Sequence, residues 1–159
     1  MTAPETLVAR RVRWEDPATA PLRDELTQEY VARYGEGARA ELTRYDPAVF
    51  APPHGTLVLL LSAGVAVAGG AFMRYDERTA ELKRIWTDSR HRRRGLARRV
   101  LAELERDAAD LGYSRLYLTT GPRQPEARAL YLATGYTPLF DLTADPLTFH
   151  HLPFEKDLG

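Results

Sequence analysis

Three observations predict a mixed α/β fold built around a single sheet. Short apolar runs of strand length alternate with longer segments whose apolar residues recur at helical spacing. Two neighbouring runs, Thr56–Leu61 and Val65–Met73, flank a Ser62-Ala63-Gly64 turn, the signature of a β-hairpin. The 159 residues are 44% hydrophobic and 28% charged, an ordinary globular composition on a chain long enough to bury a sizeable core. No internal repeat or low-complexity linker interrupts residues 1–159, which are read as one domain.

The elements follow in order. Leu7–Val12 reads as a first strand, closed by Asp16-Pro17. Leu22, Leu26, Tyr30 and Tyr34 then recur at helical spacing up to Gly35, and Ala38, Leu42, Tyr45 and Val49 form the apolar side of a second helix ended by Pro52-Pro53. After the hairpin, Glu81–Thr87 is a strand. The best-defined helix runs from Arg94 to Leu111 with an apolar stripe of Leu96, Val100, Leu101, Leu104, Ala108 and Leu111, and Gly112 is placed to turn the chain out of it. Leu116–Thr120 is a strand. Pro125 and Glu126 open a short helix that stops at Gly135, and Tyr136–Phe140 and Leu147–Lys156 read as closing strands. The order is β-α-α-β-β-β-α-β-α-β-β.

Composition also excludes whole classes of function. Lys and Arg number 22, as do Asp and Glu, so the molecule has no overall charge to draw it to nucleic acid or an anionic membrane. Cysteine is absent, which removes disulfides, thiolate metal sites and a thioester on the enzyme. No His/Asp/Glu spacing suggests a metal. Met1–Arg11 lacks the apolar centre of a secretion signal, and the expected location is cytoplasmic. Thr56–Met73 is 18 residues without a charge, the lower limit for a membrane-spanning helix, but its central turn and Gly69-Gly70 favour the hairpin.

Residues 90–99 hold six arginines at the junction between a strand and a helix. Free backbone N–H groups at a helix start can cradle a phosphate or pyrophosphate, and Gly95 lets the backbone approach closely. Cations beside a helix N-terminus are unfavourable by about 0.3–1 kcal/mol each unless an anion offsets them. A bound polyanion is therefore the economical explanation, against a merely solvated face or a nucleic-acid stripe. Neither G-x-x-x-x-G-K-[ST] nor G-x-G-x-x-G is present.

Three pieces resemble the GNAT superfamily of acyl-CoA-dependent N-acetyltransferases. Arg92-Arg93-Arg94-Gly95-Leu96-Ala97 is similar to the family's R/Q-x-x-G-x-G/A element. The strand Glu81–Thr87 ends five residues before it, and Ala127, Tyr131, Gly135 and Tyr136 match the family's A-x-x-x-Y-x-x-x-G-[FY] pattern. The ending Phe154–Leu158 also resembles that of many members. The resemblance covers about residues 80 to 158. It implies a largely antiparallel mixed sheet with a V-shaped splay, flanked by about four helices. It also implies that acetyl-CoA is the cosubstrate, its pyrophosphate on the turn amides of Arg93, Arg94, Gly95, Leu96, Ala97 and Arg98, beside Arg92. Its pantetheine arm would pair with the strand at Ile85, Trp86 and Thr87 and touch Gln124, where the family usually has Asn. The alternation along Glu81–Thr87 is imperfect, consistent with a bulge.

Without cysteine, direct attack of an amine on the thioester is the natural route, which needs a neutral amine, a stabilised oxyanion and a proton for the leaving thiolate. Tyr131 is the candidate general acid; core packing is its alternative. Glu81 is the candidate base, directly or through water, with an ion pair to Lys83 or Arg84 as the alternative; His54, His150 and His151 are further bases. For the acceptor, Tyr30, Tyr34, Tyr45, Asp141, Asp145 and Phe149 lie in the regions the family uses, and such aromatics and carboxylates would suit a cationic amine. The leading reading is acetyl transfer to a small-molecule amine. Alternatives are a protein or peptide amine, or a non-catalytic CoA-binding sensor. Family members are often dimers, so a homodimer is an expectation, with no nucleic-acid or membrane partner.

Overall fold

The computed structural model describes residues 6–159. The N-terminal stretch read as lacking a secretion signal falls partly on residues 1–5, outside the described residues. Seven strands form one sheet: β1 Leu7–Arg11, β2 Thr56–Ser62, β3 Val65–Arg74, β4 Thr79–Thr87, β5 Arg115–Thr120, β6 Thr137–Pro138 and β7 Leu152–Asp157. Their spatial order is β1-β2-β3-β4-β5-β7-β6. Every neighbouring pair is antiparallel except β4 and β5, which are parallel. Three α-helices, α1 Ala20–Tyr34, α2 Leu96–Asp110 and α3 Pro125–Ala133, and a 3-10 segment at Glu36–Thr43 occupy the four helical positions.

Both faces of the sheet are covered, which is why β2 is apolar at every position from Leu57 to Leu61. Val58 and Leu60 point into one core with Val100, Leu101 and Leu104 of α2, and with Tyr131 and Phe154. Leu57, Leu59 and Leu61 point into the other with Leu22 and Leu26 of α1, Phe50 and Trp86. The uncharged stretch Thr56–Met73 is the β2–β3 hairpin, turning at Ala63 (φ 50°) and Gly64 (φ 82°), the left-handed pair that matches strand twist. Among the described residues no helix is long and apolar enough to cross a membrane.

Helix α2 buries Leu96, Val100, Leu101, Leu104 and Ala108 of the expected stripe, whereas Leu111 lies past its last turn and is exposed; the end is as expected, with Gly112 left-handed at φ 97°, its N–H donating to the Ala109 carbonyl and Tyr113 N–H to the Ala108 carbonyl. It begins at Leu96 rather than Arg94, because Arg93 and Gly95 are both left-handed and cannot be helical. The second helix expected over Ala38–Val49 is instead two 3-10 pieces, Glu36–Thr43 and Pro47–Phe50. Pro47 holds Asp46 extended, and the Asp46 carboxylate caps the Ala48 N–H at 2.9 Å, so a continuous helix is barred. Asp145-Pro146 acts likewise near the end. It starts a 3-10 turn at Pro146–Thr148, so the last strand spans Leu152–Asp157 rather than Leu147–Lys156. Of the run Tyr136–Phe140, only Thr137 and Pro138 form a strand.

The feature that makes room for a site is a bulge. Between Gly69 and Ala71, β3 advances two residues while β4 runs from Trp86 to Lys83, so β4 carries one residue extra. Arg84 occupies the bulge at φ 62°. The parallel pairing of β4 with β5 covers only Thr79–Glu81 against Arg115–Tyr117, and beyond it the strands diverge. The imperfect alternation in the sequence has this bulge as its cause.

Candidate active site

Divergence of β4 from β5 leaves a slot in the middle of the sheet. Two cavities meet in it. One, of about 630 Å³, runs toward the start of α2 and is lined by Ile85, Trp86, Thr87, Arg92, Arg93, Gly95, Leu96, Ala97, Arg98, Gln124 and Tyr131, and by α1 through Leu26, Glu29 and Arg33. The other, of about 380 Å³, lies toward Lys83, Arg84 and the 3-10 segment. Tyr30, Ile85, Gln124, Ala127 and Tyr131 belong to both. Every residue assigned from sequence to the cosubstrate therefore lines one cavity, with the exception of Arg94.

At the far end of that cavity the backbone itself is shaped for an anion. Arg93 at φ 65° and Gly95 at φ 73° turn the chain twice through the left-handed region, and α2 starts with no side chain capping its first N–H groups. A Cβ on Gly95 would meet nothing within 4 Å, so the space before the turn is open. Two carboxylates, the half-buried Glu25 and the buried Asp88, hold the approach. Glu25 of α1 accepts from Trp86 Nε1 at 3.1 Å and from the Ser89 N–H at 2.8 Å, while the Trp86 ring fills the second core. Asp88 accepts from the Arg90 N–H at 2.8 Å and Nε at 3.2 Å. The Arg90 guanidinium, outweighing the effect of burial, holds the Asp88 carboxyl down to about 2.

Tyr131 sits where the cavities join. It is 5% exposed, and its ring packs against Tyr136 at 5.5 Å and Phe154 at 5.6 Å between centroids. Its ring belongs to the core, and the residue also lines both cavities. Among the described residues its hydroxyl makes no hydrogen bond. Burial, with a smaller contribution from nearby Tyr30, pushes its ionisation well above the ordinary phenol value, so it is a neutral donor. Gln124 gives α3 no side-chain cap, as its chemistry predicts; its Oε1 accepts from the Gly121 N–H at 3.0 Å instead.

A bridge across the slot has no counterpart in the sequence reading. From the end of α1, Arg33 donates to the Arg123 carbonyl at 2.5 Å and pairs with Glu126, and Tyr34 Oη lies 3.5 Å from Gln124 Oε1. Its partners are about ninety residues apart in the chain, so no local pattern announces it.

Glu81 stands apart from the proposed acid. Its carboxylate pairs with Lys83 Nζ at 3.1 Å, and it lines neither cavity, whereas Lys83 lines the smaller one. His150 and His151 do line the smaller cavity; His54 lines neither, and its carbonyl accepts from the Tyr113 hydroxyl. Of the acceptor candidates, Tyr30 and Tyr34 line the cavity. Tyr45 lies under Lys83 and Arg44, Phe149 packs on Phe140, and Asp141 and Asp145 hold turns through Thr143 and Leu147. The aromatic-plus-carboxylate setting expected for a cationic amine is thus corrected: the wall carries Arg44, Lys83 and Arg84 against Glu41. Among the described residues no group of three or more His, Asp or Glu could hold a metal ion.

The site is thus a slot between splayed strands, with the left-handed turn at Arg93–Gly95 on one side and the buried, neutral phenol of Tyr131 where its two cavities join. Residues 19–136 match the Acetyltransferase (GNAT) family, and the chain belongs to it. It is similar to an uncharacterized N-acetyltransferase, YsnE, of Bacillus subtilis (strain 168), 37% identical over 89 residues; the match spans 52% of this chain and 59% of that protein, less than two thirds of the relative's length. Its fold is similar to that of a crystal structure described as an acyl-CoA N-acyltransferase from Klebsiella pneumoniae, at TM-score 0.75 and 26% identity, covering 97% of this chain and 99% of the other. It also resembles the PaiA N-acetyltransferase of Thermoplasma acidophilum in complex with coenzyme A, at TM-score 0.75 and 14% identity over 96% and 99% of the two chains.

Proposed function

We propose that the protein moves an acetyl group from acetyl-CoA to the amine of a small molecule by direct attack within a ternary complex. The observation that supports this reading is the meeting of two cavities at Tyr131, one reaching the turn at Arg92–Arg98 and the other, of about 380 Å³, walled on the α1 side by Tyr30 and Tyr34. The cradle amides and Arg92, Arg93 and Arg98 suit a pyrophosphate. The β5-facing edge of β4, whose pairing with β5 stops at Glu81, suits at Ile85–Thr87 an extended amide-bearing arm laid beside it like an added strand. The modest size of the second cavity, about 380 Å³, suits a small acceptor better than a peptide.

In this reading Tyr131 donates its hydroxyl hydrogen to the departing sulfur. A phenol raised above 10 does not hand its proton fully to a thiolate of pKa about 8.5 in water, but the same burial raises the thiol too, so donation stabilises the developing negative charge where it forms. An alkylamine of pKa about 10.4 must first lose a proton. In this reading His150 or His151, both of which line the acceptor cavity, takes it. Glu81 serves by holding Lys83 at that wall.

The test is a thermal-shift titration with acetyl-CoA, with adenosine 3′,5′-bisphosphate as the partial-ligand control. At a hundred times the dissociation constant the ligand adds about 2.7 kcal/mol, or roughly 5–10 °C for a domain of this size. Absence of any shift with either ligand would remove the cosubstrate and with it the reading.

A further inference from the structure

We propose that the acceptor amine also carries a carboxylate, and that Arg84 recognises it. This rests on the acetyltransferase reading and names the substrate class of that site. Arg84 is a guanidinium held inside the protein, 4% exposed, on the wall of the acceptor cavity. Among the described residues no carboxylate bonds to it. Its Nη2 donates to the Glu41 backbone carbonyl at 2.9 Å, and its Nε is buried with no partner at all. A buried charge is costly unless paired, and a donor without an acceptor adds to that cost.

The surroundings fix the group rather than neutralise it. Trp14 and Phe50 lie 5.8 Å from the guanidinium carbon, each by a ring face, which orients the cation without neutralising it. The backbone beneath is left-handed at φ 62°, a conformation unfavourable for any residue but glycine. The other charges of the wall cancel in pairs: Lys83 with Glu81 at 3.1 Å and Arg44 with Glu41 at 3.6 Å. Arg84 remains the unmatched cation in a cavity of about 380 Å³ that also reaches Tyr131. A guanidinium that lines a cavity and lacks an anionic partner is best matched by a carboxylate, which accepts charge-assisted N–H···O bonds from it. An amine on the same small molecule could then be presented toward Tyr131.

The experiment compares matched acceptors in a thiol-release assay with acetyl-CoA: a panel of amino acids, their amides, the corresponding decarboxylated amines, and aminoalkylphosphonates. The acids should exceed their amides and amines by about ten- to a hundredfold in kcat/KM, mostly through KM, since hydrogen bonds to a charged partner are at stake. Arg84→Gln should erase that preference while leaving the acetyl-CoA thermal shift intact. Arg84→Met should melt no lower than the wild type, because it removes an uncompensated buried charge; a clear loss of Tm would show a structural role and overturn the proposal. Acids no better than amides, or a preference that survives Arg84→Gln, overturns it as well. Faster acetylation of phosphonates overturns the choice of carboxylate. A wild type that shows no shift with acetyl-CoA fails the acetyltransferase reading itself, whereas a normal shift with indifference to the acid fails this proposal alone.

Discussion

Replacing Tyr131 with Phe removes one oxygen from the molecule and nothing else, which makes it an incisive perturbation. The ring keeps its contacts with Tyr136 and Phe154, so the core loses no packing. The hydroxyl has no hydrogen-bond partner among the described residues, so no buried group is orphaned by the change. Stability should move by no more than about 0.5 kcal/mol, or roughly 1–2 °C in Tm. Activity should fall by about 10²–10⁴ in kcat, the range a positioned proton donor contributes. The wild-type pH profile carries a further consequence. Burial raises the phenol's ionisation above its ordinary value, so the neutral donor persists as pH rises, and no alkaline loss of kcat assignable to Tyr131 should occur below about pH 10. The assay is thiol release at saturating acetyl-CoA across pH 6–10, run beside thermal melts of both proteins. A Phe variant that melts normally and retains kcat within threefold would refute the donor role. A variant that melts several degrees lower would show that the hydroxyl is bonded in the core instead.

Gly55→Ala should be severe, because its Cβ would meet the backbone carbonyl oxygens of Val49 at 2.0 Å and Phe72 at 2.8 Å, neither of which is a flexible side-chain end. A loss of about 3 kcal/mol in urea unfolding is expected, while Gly37→Ala, with nothing within 4 Å, should be near neutral; equal effects would sink the packing argument. Asp88 gives an acid-stability prediction. Its folded value of about 2 lies below the ordinary 3.8, so its contribution is present above pH 4 and is lost as pH falls through 2. The full shift corresponds to about 2 kcal/mol, reduced to about 1 by solvent screening because Arg90 is 79% exposed. Asp88→Asn should therefore flatten the stability decline between pH 4 and 2, and an unchanged slope would show that the pair contributes nothing.

What the sequence disclosed followed from whether its causes were local. The α2 stripe, its Gly112 terminus and the β2–β3 turn each depend on residues a few positions apart, and they could be read directly. Pro47 was equally local, and its effect on Asp46 accounts for the broken second helix; the apolar spacing of Leu42, Tyr45 and Val49 concealed it. The segments proposed for the cosubstrate, Ile85–Thr87 and Arg92–Arg98, are each contiguous in the chain, so a motif can mark them. The acceptor side is assembled from α1, the 3-10 segment, β4 and the stretch before β7, and spacing along the chain carries no record of that meeting. Lys83-Arg84, two adjacent cations beside Glu81 in β4, was an available sign. It breaks the two-residue alternation, but only the three-dimensional register shows that Lys83 finds an anion and Arg84 does not.

The brief parallel contact between β4 and β5 has a consequence for how this protein stays out of trouble. A strand with free N–H and C=O groups invites any other extended chain to add to it, and sheets commonly defend their outer margins with charge, proline or short length. Here the open margins lie in the interior of the sheet, created by a bulge and walled by α1 and α3. Another protein's strand, with side chains on both faces, would have to displace those helices to enter. A thin, branch-poor chain need only slide in endwise. The fold thus keeps a reactive backbone edge available at all times and selects its visitor by cross-section before any side chain is consulted.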